Sequence, residues 1–328
     1  MREGTPEQRR GLGTAEDAPL RLKPLNSQAD KTTRMILVCW RMARGILLIA
    51  LLGGLMTATL VRLAPGYGLS EEQLDPRRSE SSLRQAESTR GGDESILGFY
   101  LRFLLRYARG DLGHSPLFQR PVRELIAERI PPTTAALMLG LAGGWLLALA
   151  VGVPGGMGSW PLLNAMTRTT ALLLQSIPAA VLGLLVLLNG ARGARACGAA
   201  VALALYPRLV QYVMNLVSAV SGMPHVLAAR AKGVGSRRIL GLHVMPVVLP
   251  EFLALAGVSV SMALSVAIPL EMILDVAGIG QLTWQAALGR DMNLLVNLTV
   301  LISLVITFAN ALAARMGERP STVEARGA

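Results

Sequence analysis

Four cations, Arg230, Lys232, Arg237 and Arg238, fall within nine consecutive residues that contain no acid, and Gly233 and Gly235 interrupt them. Such a group can meet carboxylates or phosphates, and the two glycines let the backbone turn sharply between the pairs. The surrounding stretch, Pro224 to Pro246, reads as two short helices at a break, with Ser236 placed to cap the second. Ala228, Ala229 and Ala231 leave the first helix nearly bare on one side, so another surface can come close. By chemistry alone, a basic loop that only fixes membrane topology accounts for the segment equally well.

Other reactive residue types are sparse. His114, His225 and His243 are far apart and have no cysteine or carboxylate at ligand spacing, so the expected metal site is none. Cys39 and Cys197 fall at opposite membrane faces in the topology below and cannot reach each other within a subunit. A phosphate-cradling loop needs Gly-Lys followed by Ser or Thr. The one lysine that precedes such a residue is Lys31, which Asp30 precedes. Paired carboxylates and Ser/His arrangements at matching depths are also missing, so no catalytic residue is assigned and the chain is not read as an enzyme. Ionisable groups near apolar stretches are Arg208, Glu251, Glu271 and Asp275. Groups of this kind are functional candidates by default. Arg208 is a candidate for lining a pathway and pairing with a substrate carboxylate or an acidic neighbour; snorkelling to the membrane surface explains it as well.

The elements that must position these residues follow from composition. Of 328 residues, 52% are hydrophobic and 16% charged, which is too apolar for an ordinary soluble domain. The net charge of +11 is carried largely by arginines between apolar blocks, and aromatics are 4%, so stacking platforms for nucleic acid are scarce. Contact with membrane lipid is expected instead, and no nucleic-acid partner. The apolar blocks lack the alternation of barrel strands, which leaves helices as the spanning elements. Six are expected, over Met35–Leu63, Thr133–Val153, Thr169–Leu188, Cys197–Val220, Val244–Leu270 and Leu294–Ala314. The expected organisation is a disordered cytoplasmic tail over 1–34, a membrane domain over 35–316 and a second cytoplasmic tail over 317–328. Within the domain, 66–132 is external and 222–246 is a cytoplasmic loop. The cations before the first span and all three lysines then fall inside, with both termini. Gly140 and Gly144 form a small-xxx-small pair that admits another helix, of this subunit or of a neighbour.

Three segments resemble one family. Leu227-Ala228-Ala229, Gly233 and His243-x-Met245-Pro246 match the spacing of the cytoplasmic EAA loop of ABC importer permeases. Ala229 to Gly233 is similar to the dipeptide and oligopeptide version in particular. Arg109 to Ser115, with Arg120-Pro121-Val122 and Ile126 to Arg129, resembles the family's external segment before the second span. Gly278-Ile279-Gly280, with Leu282, Ala286 and Arg290-Asp291, resembles the one before the last span. The resemblance implies an all-α membrane protein with the type I ABC importer permease fold, in the bacterial inner membrane. It further implies a second permease subunit, two ATPase subunits that hold ATP and Mg, and an external substrate-binding protein; this chain itself holds no cofactor. The coupling residues would be Ala228, Ala229, Arg230, Lys232, Gly233, Arg237, Arg238 and Pro246. Contact with the binding protein would involve Asp111, Gly113, Gly278, Gly280, Arg290 and Asp291. The chain departs from the pattern where Leu227 replaces the family glutamate, where Gln211 and Met214 replace arginines, and in a short connection over 189–196. These departures leave room for an alternative, a permease-derived structural subunit of another membrane complex.

Overall fold

A computed structural model describes residues 109–158 and 161–317, with scattered positions between 44 and 107. The expected tail over 1–34 and residues 318–328 lie outside the described residues, as does most of the expected first span. All but Arg44 belong to one compact unit, Gly45–Ala328. A two-residue hairpin, β1 (His114–Ser115) and β2 (Arg120–Pro121), pairs antiparallel with Ser115 opposite Arg120. Then follow α1 (Val122–Gly156), α2 (Pro161–Ser176), α3 (Ala179–Leu188), α4 (Gly193–Ser221), α5 (Pro224–Ala231) and α6 (Ser236–Ile239). A π turn (Leu240–Val244) leads into α7 (Met245–Ile273), and α8 (Ile279–Leu288) and α9 (Met292–Gly317) complete the chain.

Among the described residues, four helices are long and apolar enough to cross a membrane: α1, α4, the run Ser236–Ile273 and α9. They coincide with four of the expected spans. The expected third span is not one straight helix. It is divided into α2 and α3, bent by 93°, because Pro178 has no N–H to donate and disfavours the helical region at Ile177. Counted as one crossing, the pair brings the total to five. α1 also begins before the expected Thr133, since Val122, Leu125 and Ile126 form a buried stripe that continues the helix outward.

Packing centres on α1 against α4. Gly140, Gly144, Ala148, Gly152 and Gly156 recur every fourth residue on the buried face of α1, which places them along one ridge of the helix. A methyl group at Gly140 would lie 2.5 Å from Val201 Cγ1, one at Gly152 2.8 Å from Val213 Cγ1, and one at Gly156 2.6 Å from Val217 Cβ. Glycine is therefore required for this approach. Of the two readings of Gly140 and Gly144, the structure selects packing within the chain. Trp145 donates from Nε1 to Ser259 Oγ at 3.0 Å and meets Phe252 edge-on, which joins α1 to α7. Gly257 allows Ala313 of α9 a similarly close approach to α7. A second, smaller apolar cluster joins the start of α1, α8 and the start of α9 through Val122, Leu125, Leu282, Ala286, Leu294 and Leu298.

Candidate functional site

The loop between α4 and α7 is ordered by its own backbone. Pro224 opens α5 at a first-turn position, where its missing N–H costs nothing. The helix closes when Gly233 adopts φ +74°. Gly233 N–H donates to Arg230 O at 2.9 Å, and Val234 N–H to Ala229 O at 3.2 Å. This is the Schellman arrangement, in which a left-handed residue satisfies the last carbonyls. Val226 and Ala229, three apart, turn into the core shared with the ends of α1 and α4. Ala229 is thus not open to a partner, contrary to the expectation of an alanine face. The exposed side of α5 carries His225, Leu227, Ala228, Arg230 and Ala231, continued by Lys232, Arg237 and Arg238. Arg230 donates from Nη2 to Met157 O at 3.3 Å and so ties α5 to the end of α1.

The second short helix also differs from expectation. Gly235, not Ser236, occupies the cap position of α6, and no side-chain cap bond forms. α6 is continuous with α7 through the π turn rather than separated from it. The turn lies just before Pro246, whose ring would clash with the Leu242 carbonyl in a regular α-helix; widening the helix by one residue relieves that clash.

The residues expected to meet an external protein lie together at the opposite end of the bundle, but most face inward. Asp291 is 3% exposed. Its Oδ1 accepts the N–H of Leu294 at 2.9 Å and so caps α9. Its Oδ2 accepts the Ser115 hydroxyl in a very short bond and the Leu117 N–H at 3.3 Å. Asn293 donates to the carbonyl of His114 at 2.9 Å, and Asn297 to that of Leu112 at 3.1 Å. Gly113, at φ +74°, has no room for a methyl group against Asn293. Gly278 and Gly280 are buried. Of the six candidates, Asp111 and Arg290 stay exposed, while Gly113 is half-buried. Asp291 joins the two segments to each other, while Gly278 and Gly280 pack on Glu271, Thr133 and Ile268, because a buried backbone donor or acceptor needs a partner.

Two polar groups stand out inside the spans. Arg208 is exposed in the middle of α4 and makes no hydrogen bond or ion pair among the described residues. Tyr212 and Asn215, four and seven residues on, share its face and are also exposed. At about 1.5 Å per residue, the end of α4 at Ser221 is roughly 20 Å away, beyond the reach of an arginine side chain. Glu271, near the end of α7, is fully buried, and its Oε2 accepts the Gly280 N–H at 2.6 Å. No sequence pattern signals that pairing; the spacing of Gly278 and Gly280 is the signal that could have marked a close backbone approach.

Residues 140–320 match the family described as binding-protein-dependent transport system inner membrane component. Among curated proteins, the chain is 27% identical over 264 residues to the oligopeptide transport system permease protein OppB of Salmonella typhimurium, covering 74% of this chain and 84% of that protein. It is 26% identical over the same coverage to OppB of Escherichia coli K12. With OppB of Mycobacterium tuberculosis H37Rv it shares 24% identity over 300 residues, 81% of this chain and 92% of the relative.

Proposed function

The chain belongs to the family of binding-protein-dependent transport system inner membrane components, and on that premise we propose that it forms half of a pathway that carries short peptides into the cell. It is the permease subunit of an ABC importer. Peptide as cargo rests on the oligopeptide transport relatives. In this reading a second permease subunit completes the pathway, and two ATPase subunits hold ATP and Mg. A binding protein delivers substrate at the end that carries Asp111 and Arg290. Both termini and the α5 loop lie on the cytoplasmic side, which the basic loop supports. The exposed apolar side chains of α1, Met138, Leu139, Leu146 and Leu147, face lipid.

One observation carries the coupling part of this reading. The buried face of α5 sits on the ends of α1 and α4 and leaves the basic face outward, and the chain then runs through α6 and the π turn into α7 with a short connection over 232–235 and no other loop. A partner that moves α5 therefore moves a membrane-crossing helix. ATP closure outside this chain can thereby change which side of the pathway is open, which is a coupling between two sites through a physical lever. Arg208, Tyr212 and Asn215 line the pathway, because an unpaired guanidinium in lipid at mid-membrane costs several kcal/mol, about 2.5–3.5 even on the lowest scales.

The test is reconstitution. The purified chain alone should not turn over ATP; with ATPase subunits, a partner permease and a binding protein it should support ATP-dependent uptake of a labelled tripeptide. Stable association with an unrelated membrane complex, and with no ATPase, would instead favour the structural-subunit alternative.

A further inference from the structure

The far end of α7 is fastened to α8 by side chains as well as by the connecting chain. Glu271 Oε2 accepts the N–H of Gly280 at 2.6 Å. Thr133, on α1, accepts the N–H of Ile279 at 2.8 Å. The donors Ile279 and Gly280 are consecutive and lie in the first turn of α8, whose N–H groups have no acceptor within their own helix. The fit is close. A methyl group at Gly280 would lie 2.6 Å from Ile268 Cα, and one at Gly278 2.5 Å from Thr133 Oγ1. α8 itself is packed on α9 and the start of α1 through Leu282 and Ala286.

At its other end the same helical run begins at Ser236, in the loop that bears the exposed basic face. Its 38 residues span about 57 Å at about 1.5 Å each, more than the about 40–45 Å of a bilayer with its headgroups. A displacement of α5 is therefore delivered toward Glu271 along one continuous helical run, through the π turn, Pro250 and Pro269. Resting on the permease reading above, we infer that Glu271 is a positioning residue that makes α8 move with α7, so that motion driven at the loop reaches the face opposite it. The Thr133 bond adds α1 as the reference against which that motion is set. Without the carboxyl, α7 would still move, but the Gly280 N–H would lose its acceptor and the movement would be dissipated in the connection over 274–278.

The experiment uses the complete importer in nanodiscs, with Cys39→Ser and Cys197→Ala as background and spin labels at Met272→Cys and Leu288→Cys, both exposed positions. The distance between labels should be the same in nucleotide-free and ATP-trapped states. Glu271→Ala should broaden it and lower the stimulation of ATP turnover by the binding protein about fivefold or more, the scale set by losing one buried hydrogen bond. Basal turnover and assembly should be kept. Glu271→Gln retains an oxygen for the Gly280 N–H and should recover most of the stimulation. A label distance that shifts between states overturns the inference, whether or not the alanine variant assembles. So does wild-type stimulation in Glu271→Ala, or an equal loss of assembly in both variants, which would mark a static clamp. Peptide uptake by the wild-type importer tests the permease reading separately.

Discussion

Replacing Gly233 with alanine adds one methyl group at φ +74°, and nothing lies within 4 Å of the place it would occupy. The perturbation is thus conformational and not steric against a neighbour. An L-residue held in the left-handed region costs about 1–2 kcal/mol. The chain can escape that cost by opening the bonds from Gly233 and Val234 to the end of α5, which unwinds its last turn and re-aims Arg230 and Lys232. If docking requires the closed turn, the affinity of the ATPase subunits should fall roughly 5–30-fold. Gly235 supplies the internal control. It has φ −63° and is equally uncrowded, so Gly235→Ala should leave affinity unchanged. Gly233→Asn should fall between the two, since asparagine tolerates the left-handed region. Binding of the ATPase subunits to the detergent-purified permease, followed by thermophoresis or by co-elution, reads all three. Wild-type affinity in Gly233→Ala, or an equal loss in Gly235→Ala, would refute the reasoning.

Gly152→Val should destabilise the bundle by about 1–3 kcal/mol through overpacking against Val213, seen as a lower midpoint of thermal unfolding in detergent, while Ala150→Val on the exposed side of α1 should not. Arg208→Gln should reduce peptide uptake and leave ATPase association intact; if an amidated peptide is affected as strongly as one with a free carboxylate, the guanidinium pairs with a protein group and not with the substrate.

The spans that were legible in the sequence are those written as long charge-free blocks, because burial in lipid demands such blocks whatever the neighbouring helices do. The break at Pro178 was less visible, since α2 and α3 are both apolar and composition does not record direction. Three alanines invite contact and make Ala229 look open, yet Val226 three residues earlier marks the inward stripe. Ser236 has the chemistry of a cap, but the turn at Gly233 leaves Gly235 in the capping position. Asp291 and Gly113 lay in segments whose resemblance was recognised, although their burial depends on contacts nearly 180 residues apart in the chain. Local patterns carry no trace of such distant partners. Glu271 is the sharpest case: its place beside an apolar stretch marks it as a candidate, but its partner is invisible until the helix that covers it has been placed.

The every-fourth-residue glycine ridge of α1 also bears on which sequence changes this protein can survive. Apolar substitutions on the far side of α1 meet no packed neighbour within the chain, so that face can exchange one apolar residue for another. A change in length is another matter. Inserting or deleting one residue between Gly144 and Gly152 would rotate everything beyond it by about 100° and turn Gly152 and Gly156 away from Val213 and Val217 while Gly140 stayed in place. Half of the seam would then be closed by side chains too large for it. Descendants of this chain should therefore vary among apolar residues on the outward side of α1 but keep the glycine ridge, and the length from Gly140 to Gly156, fixed.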